Sequence, residues 1–235
     1  MAFSAPVFDR RLLLKTLSLI PVSAFGTMPL WASKATAEAG LATGNVCLVS
    51  PETTEGPYYI DPKLIRADIT EGKAGAPLAM TLQVVSAECV PLSGARVDVW
   101  HCDAEGNYSG FADQGSDAAL DTAGQTFLRG TLFSDANGVV TFRTIFPGWY
   151  RGRTTHVHYL IYLDESTVLS SQIFFPQAAI DDLYRSVSPY KERAGTPEMT
   201  NADDGIAQDA GEGAIASLAV DGPGYASALV VGVQV

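Results

Sequence analysis

Histidine is scarce in this chain, with three in 235 residues, and so are cysteine, also three, and basic residues, 15 against 26 acidic ones. Each shortage excludes something. At a net charge of −11 a nucleic acid would be repelled, so the sequence excludes it as a partner. An anionic aromatic ligand would gain no long-range attraction and would need a local cation. Three cysteines permit one disulfide and leave a thiol over. Cys89 and Cys102 flank the turn Pro91-Leu92-Ser93-Gly94 asymmetrically, a poor register for a bridge. A bond from Cys47 to one of them is the better expectation, with three buried thiols as the alternative, and the sequence does not choose. Long apolar runs are missing as well. The stretch from Leu12 to Leu30 is interrupted by Lys15, Pro21, Gly26 and Pro29 and is too short and broken for a stable membrane span. There is no internal repeat and no heptad pattern.

That broken apolar stretch belongs to a leader. Asp9-Arg10-Arg11-Leu12-Leu13-Leu14-Lys15 resembles the twin-arginine export motif, and Ala35-Thr36-Ala37 offers a small-x-small cleavage site. Residues 1–37 therefore read as a signal peptide, residues 38–52 as an N-terminal arm and residues 53–235 as one domain. The expected location is the periplasm or the cell exterior. Losing Arg10, Arg11, Lys15 and Lys34 but only Asp9 moves the net charge from −11 to −14.

The domain reads as all-β. Strand-like runs cover Met80–Val85, Ala95–Trp100, Thr126–Phe133, Val139–Ile145, His156–Leu163, Ser171–Phe175, Ala214–Val220 and Ala226–Val233. They are separated by turns such as Asp135-Ala136-Asn137-Gly138, and one short helix is expected from about Gln177 through Ala179–Tyr184. Short strands with few helices predict a β-sandwich. Asn201-Ala202-Asp203-Asp204-Gly205 reads as a polar turn.

Two of the three histidines stand one residue apart in Thr155-His156-Val157-His158-Tyr159. A strand has period two, so both imidazoles face one side, close enough to share a metal. Tyr150 lies six residues before His156, and Tyr108 ends the run that starts at Asp98. A phenol with a pKa near ~10 becomes a ligand at neutral pH only against a strongly Lewis-acidic ion. Two imidazoles with two phenolates therefore suit a hard, oxidised iron better than zinc or copper(I). The third histidine, His101, reads as a strand-end residue bonded to a loop.

Five segments carry a resemblance. Thr54-Glu55-Gly56-Pro57-Tyr58, Trp100 to Tyr108, Pro147-Gly148-Trp149-Tyr150, Arg153 to His158 and Gln172-Ile173-Phe174-Phe175-Pro176 resemble the intradiol ring-cleavage dioxygenases, in particular the protocatechuate dioxygenase branch and its small exported relatives. The resemblance runs from about Thr53 to the C-terminus. It implies a β-sandwich of the intradiol core type and a non-haem Fe(III) cofactor held by Tyr108, Tyr150, His156 and His158. It implies a small aromatic diol and O2 as substrates, with cleavage between the two hydroxylated carbons to a cis,cis-muconic acid. Tyr150 would leave the metal and take a substrate proton. Arg153 would stabilise charge developing on the ring, and Gln172 would stand at the same ring edge. Gly56, Pro57 and Tyr58, with Arg153, would line the substrate pocket.

One departure from the family pattern is clear. Only five residues separate Tyr150 from His156, where protocatechuate and catechol dioxygenases carry a longer insertion, so a more open site is expected. Arg66 and Arg151 are candidates to meet a substrate carboxylate. Two rival readings stand beside this one. A cupin-type metal site would use Glu165 but finds no histidine after His158. An exported sandwich that binds carbohydrate or another ligand without catalysis would use Trp149 and Tyr159 as an exposed platform. The oligomeric state stays open.

Overall fold

The computed structural model describes residues 48–61, 63–193 and 197–235. The signal peptide assigned to residues 1–37, most of the arm and Cys47 lie outside the described residues.

Among the described residues, eight strands form two four-stranded sheets. One sheet has the order β4-β1-β8-β7, from β1 (Pro77–Ser86), β4 (Val139–Ile145), β7 (Ser217–Asp221) and β8 (Gly224–Val233). The other has the order β3-β2-β5-β6, from β2 (Arg96–Trp100), β3 (Arg129–Phe133), β5 (His156–Leu163) and β6 (Ser166–Phe174). All pairings are antiparallel except β1 with β8. Two short helices, α1 (Gln177–Ser186) and α2 (Gly205–Ala210), complete the described elements with two 3-10 turns. This is the expected sandwich.

Period-two alternation places the core. Leu78, Met80, Leu82 and Val84 of β1 face Val97 and Val99 of β2 and Val157, Tyr159 and Ile161 of β5 across the interior. On β5 the alternate residues His156, His158 and Leu160 therefore point to the outer face. There they are buried too, under loops that carry Tyr58, Tyr108 and Tyr150.

Three sequence expectations need correction. The third strand starts at Arg129, not Thr126, because Leu128 sits at φ 57 and breaks the extended run just before it. Asp164 and Glu165, both at positive φ, make a two-residue turn that lets β6 begin at Ser166. Tyr159 is 1% exposed in the core, so it cannot form a binding platform.

The register of the second sheet aligns one row across all four strands. Arg129 of β3 pairs with Trp100 of β2, Trp100 with His158 of β5, and His158 with Gln172 of β6. Directly paired residues share a face, so this row lies on the outer, covered side.

Candidate metal centre

The imidazole of His156 is at the middle of the site. Its Nε2 lies 3.0 Å from the Tyr150 hydroxyl, 3.4 Å from the Tyr108 hydroxyl and 3.1 Å from His158 Nε2. Donors about 2.0–2.2 Å from one metal, at angles of about 90–110°, stand roughly 2.8–3.6 Å apart. The three separations fall in that window, so the four side chains fit a single ion. Among the described residues no cluster of three or more His, Cys, Asp or Glu side chains is suited to a metal. The oxygen donors beside the two histidines are phenols.

Each donor is oriented from behind. His156 Nδ1 lies 2.7 Å from the Thr154 carbonyl, which can only accept. The ring hydrogen is therefore on Nδ1, and Nε2 offers its lone pair to the centre. The Thr155 hydroxyl donates to Tyr184 of α1, which in turn donates to the Pro147 carbonyl, pinning the entry to β5. His158 is held by packing: Trp100 stacks on it at 4.9 Å and 9°, while its buried Nδ1 has no partner. Tyr108 is 1% exposed and Tyr58 stacks on it at 4.5 Å. Arg193 braces the segment carrying Tyr150, donating to the Trp149 and Ala104 carbonyls and lying 3.9 Å over the Trp149 ring.

Burial sets the protonation of the set. It lowers His156 to about 3 and His158 well below the ordinary imidazole range, so both rings are neutral at pH 7, the form that could bind a metal. It raises Tyr150 to about 12 and Tyr108 well above the ordinary phenol value. Both tyrosines are therefore neutral phenols at pH 7, and a metal held by them would have to release their protons.

Arg153 stands beside this centre, 16% exposed at its side chain. Its Nε donates to Asp204 Oδ2 at 2.8 Å, and an Nη donates to Gln172 Oε1 at 2.5 Å. Gln172 passes the connection on, donating to the Thr54 carbonyl at 3.0 Å. Gly56 is at φ +75, and a Cβ there would stand 3.2 Å from His158 Cε1. Glycine is thus required for both reasons at this position. Pro57 is exposed at the tip of the same turn, between Gly56 and Tyr58.

The chain matches known proteins over this same region. The family model described as dioxygenase covers residues 51–207. An intradiol ring-cleavage dioxygenase from Tetranychus urticae is 35% identical and superposes with a TM-score of 0.73, covering 80% of this chain and 95% of that one. The chain belongs to the intradiol ring-cleavage dioxygenase family. The dioxygenase domain of a dioxygenase carbohydrate-binding protein fusion from Streptomyces sp. SirexAA-E is 26% identical, with a TM-score of 0.58, over 80% of this chain and 99% of that one. Catechol 1,2-dioxygenase 1 from Acinetobacter lwoffii is 27% identical over 146 residues, 52% of this chain and 45% of its own length. The chain spans about half the length of the curated relatives it matches.

Within this intradiol fold, Gly56, Tyr58, Tyr108, Tyr150, Arg153, His156, His158 and Gln172 stand around one centre, whereas Arg66, Arg151, Glu165 and Tyr159 do not join it. Arg66 is engaged with the Arg129 and Thr126 carbonyls and with Glu71, so it is not free for a substrate. Arg151 is exposed in the tight turn bridging Tyr150 to Arg153. Glu165 is exposed in the turn at the far end of β5, which removes the cupin-type ligand. Cys89 is disulfide-bonded and Cys102 is a free, buried thiol. His101 is buried, its Nδ1 donating to the Cys102 carbonyl and its Nε2 accepting from Thr144.

Sequence reasoning missed Asp204. It is not a loop carboxylate but the N-cap of α2, accepting from Ile206 and Ala207 with one oxygen and from Thr154 and Arg153 with the other. The available signal was an aspartate directly before Gly205-Ile206-Ala207, a helix-start pattern.

Proposed function

We propose that the protein is a non-haem Fe(III) dioxygenase that opens the ring of a catechol-type diol between its hydroxylated carbons. Both atoms of O2 enter the product, a cis,cis-muconic acid derivative. The observation that carries this reading is the convergence of two phenol oxygens, Tyr108 and Tyr150, on a pair of strand histidines. Fe(III) bound there would make the phenolates accessible at neutral pH and draw electron density from a chelated catecholate. An Fe(II) centre of the two-histidine, one-carboxylate kind would need an Asp or Glu in place of the tyrosines.

The side chains then divide the work. Tyr108 is fully enclosed and suits a permanent ligand, whereas Tyr150 is only partly buried and can swing away to accept a catechol proton. Arg153, fixed by Asp204 and Gln172, holds a positive charge where the ring becomes electron-rich. Tyr58 and Phe111, in edge contact at 5.1 Å, form an aromatic wall that keeps water from the Tyr108 side. The short Tyr150–Arg153 turn leaves the opposite side without the family's insertion, which supports access for larger catechols.

The reading extends to location. We infer export by the twin-arginine route, supported by the leader pattern and by the disulfide at Cys89, a bond that persists in oxidising compartments. Fractionation of cells expressing the intact protein and its Arg10→Lys, Arg11→Lys variant tests it, since retention of the wild type in the cytoplasm would count against it.

Incubating the iron-loaded protein with a panel of catechols under 18O2 tests the chemistry. Muconate absorbance with two labelled oxygens is expected. A yellow hydroxymuconic semialdehyde, or a demand for Fe(II) and reductant, would overturn the intradiol reading.

A further inference from the structure

One cation of the covered face has no part in the scheme above. Arg129 is 1% exposed, yet among the described residues it forms no ion pair. Its guanidinium donates from Nε to the Ser109 hydroxyl at 2.8 Å and from its two Nη atoms to the Tyr58 and Ser109 carbonyls, each at 2.6 Å. All three acceptors are neutral. Burying a charge without a counter-charge is unfavourable, so such a group is retained for a reason.

The three acceptors point to that reason. Tyr58 is the aromatic wall and Ser109 directly follows the Tyr108 ligand, so one rigid fork joins two pieces of the site that are far apart in sequence. Arg129 also lies 5.6 Å from the Phe111 ring, the other member of the wall. Its row across the sheet continues through Trp100 to His158. The residue just before it, Leu128, is buried and held at φ 57.

We propose that Arg129 is a positioning residue for the candidate metal centre: its fork ties the Tyr108 arm to the Tyr58 wall. That role rests on the Fe(III)-tyrosinate reading above. Lysine keeps the charge but lacks the planar fork needed to hold both carbonyls. Methionine keeps much of the bulk and loses the fork altogether.

The test compares Arg129→Met and Arg129→Lys with the wild type in iron affinity, visible spectrum and steady-state kinetics. Arg129→Met should bind iron about 10–100-fold more weakly. Its phenolate-to-iron absorption should depart from the wild-type position, because the Tyr108 arm is no longer held. Arg129→Lys, without the fork, should raise KM for catechol several-fold. Wild-type iron affinity and band position in Arg129→Met would overturn the proposal. If Arg129→Met does not fold, Arg129→Lys decides alone: a wild-type KM overturns it. A wild-type protein that shows no such band with iron bound would instead overturn the metal reading.

Discussion

Arg153 and Asp204 meet at 2.8 Å although 51 residues separate them, and the carboxylate that orients the arginine is also the cap of α2. Two functions thus share one side chain. Burial would raise the Asp204 carboxyl, but the Thr154 amide and Arg153 outweigh it and hold it below the usual range. A carboxylate depressed in this way contributes stability above its unfolded value near ~3.9 and loses it as pH falls through the lower folded value. Asp204→Asn should keep most of the cap and lower turnover about tenfold by freeing Arg153. Arg153→Ala should lower it by roughly 10²–10³-fold with iron and colour retained. Equal rates for both variants and the wild type would show that Arg153 takes no part in the reaction.

Removal of a ligand should show in the metal before it shows in the fold. Tyr108→Phe and His158→Ala are each expected to lose most bound iron and the visible band, as the third histidine, His101, is already bonded to Cys102 and Thr144. Metal analysis and absorbance of the purified variants check this. Full occupancy with unchanged colour would refute the ligand set.

Gly56→Ala places a methyl group 3.2 Å from His158 Cε1 at a backbone angle of φ +75. A cost of about 1–3 kcal/mol follows from the left-handed backbone. His158 should shift, and iron should dissociate faster than from the wild type. Thermal unfolding and chelator-challenge kinetics measure the two effects separately.

His101 predicts a specific pH response. Burial lowers it to about 4, whereas the unfolded chain titrates near ~6.5. Between those values the unfolded state binds a proton that the folded state refuses, so stability falls as pH drops through that window and is unaffected above it. His101→Gln should reduce the slope of stability against pH there by about 1.4 kcal/mol per unit. Denaturant unfolding of the iron-loaded protein at several pH values gives the slope, and an unchanged one would contradict the assignment.

The convergence of the four candidate ligands was legible because their signal is local. Period two alone puts His156 and His158 on one face, and the tyrosines follow in a recognisable order. The strand set was legible from alternation and turns, with errors where single residues at positive φ, Leu128 and Glu165, set the boundaries. What stayed hidden was the support. Trp100 meets His158 only through the pairing of β2 with β5, and Arg129 reaches Tyr58 across 71 residues. Asp204 looked like a loop because its partner, Arg153, lies in another element. Such contacts depend on register, which alternation within one strand does not specify.

That dependence gives the row Arg129–Trp100–His158–Gln172 a further consequence. Each member comes from a different strand of one sheet, so a slip of one residue in any pairing would turn a member to the opposite face. A misaligned chain, compact and rich in strands, would still fail to bring His158 to the candidate centre. On the proposed Fe(III) reading, metal retention is then a proofreading signal for the assembled sheet, one that distinguishes correct alignment from mere collapse.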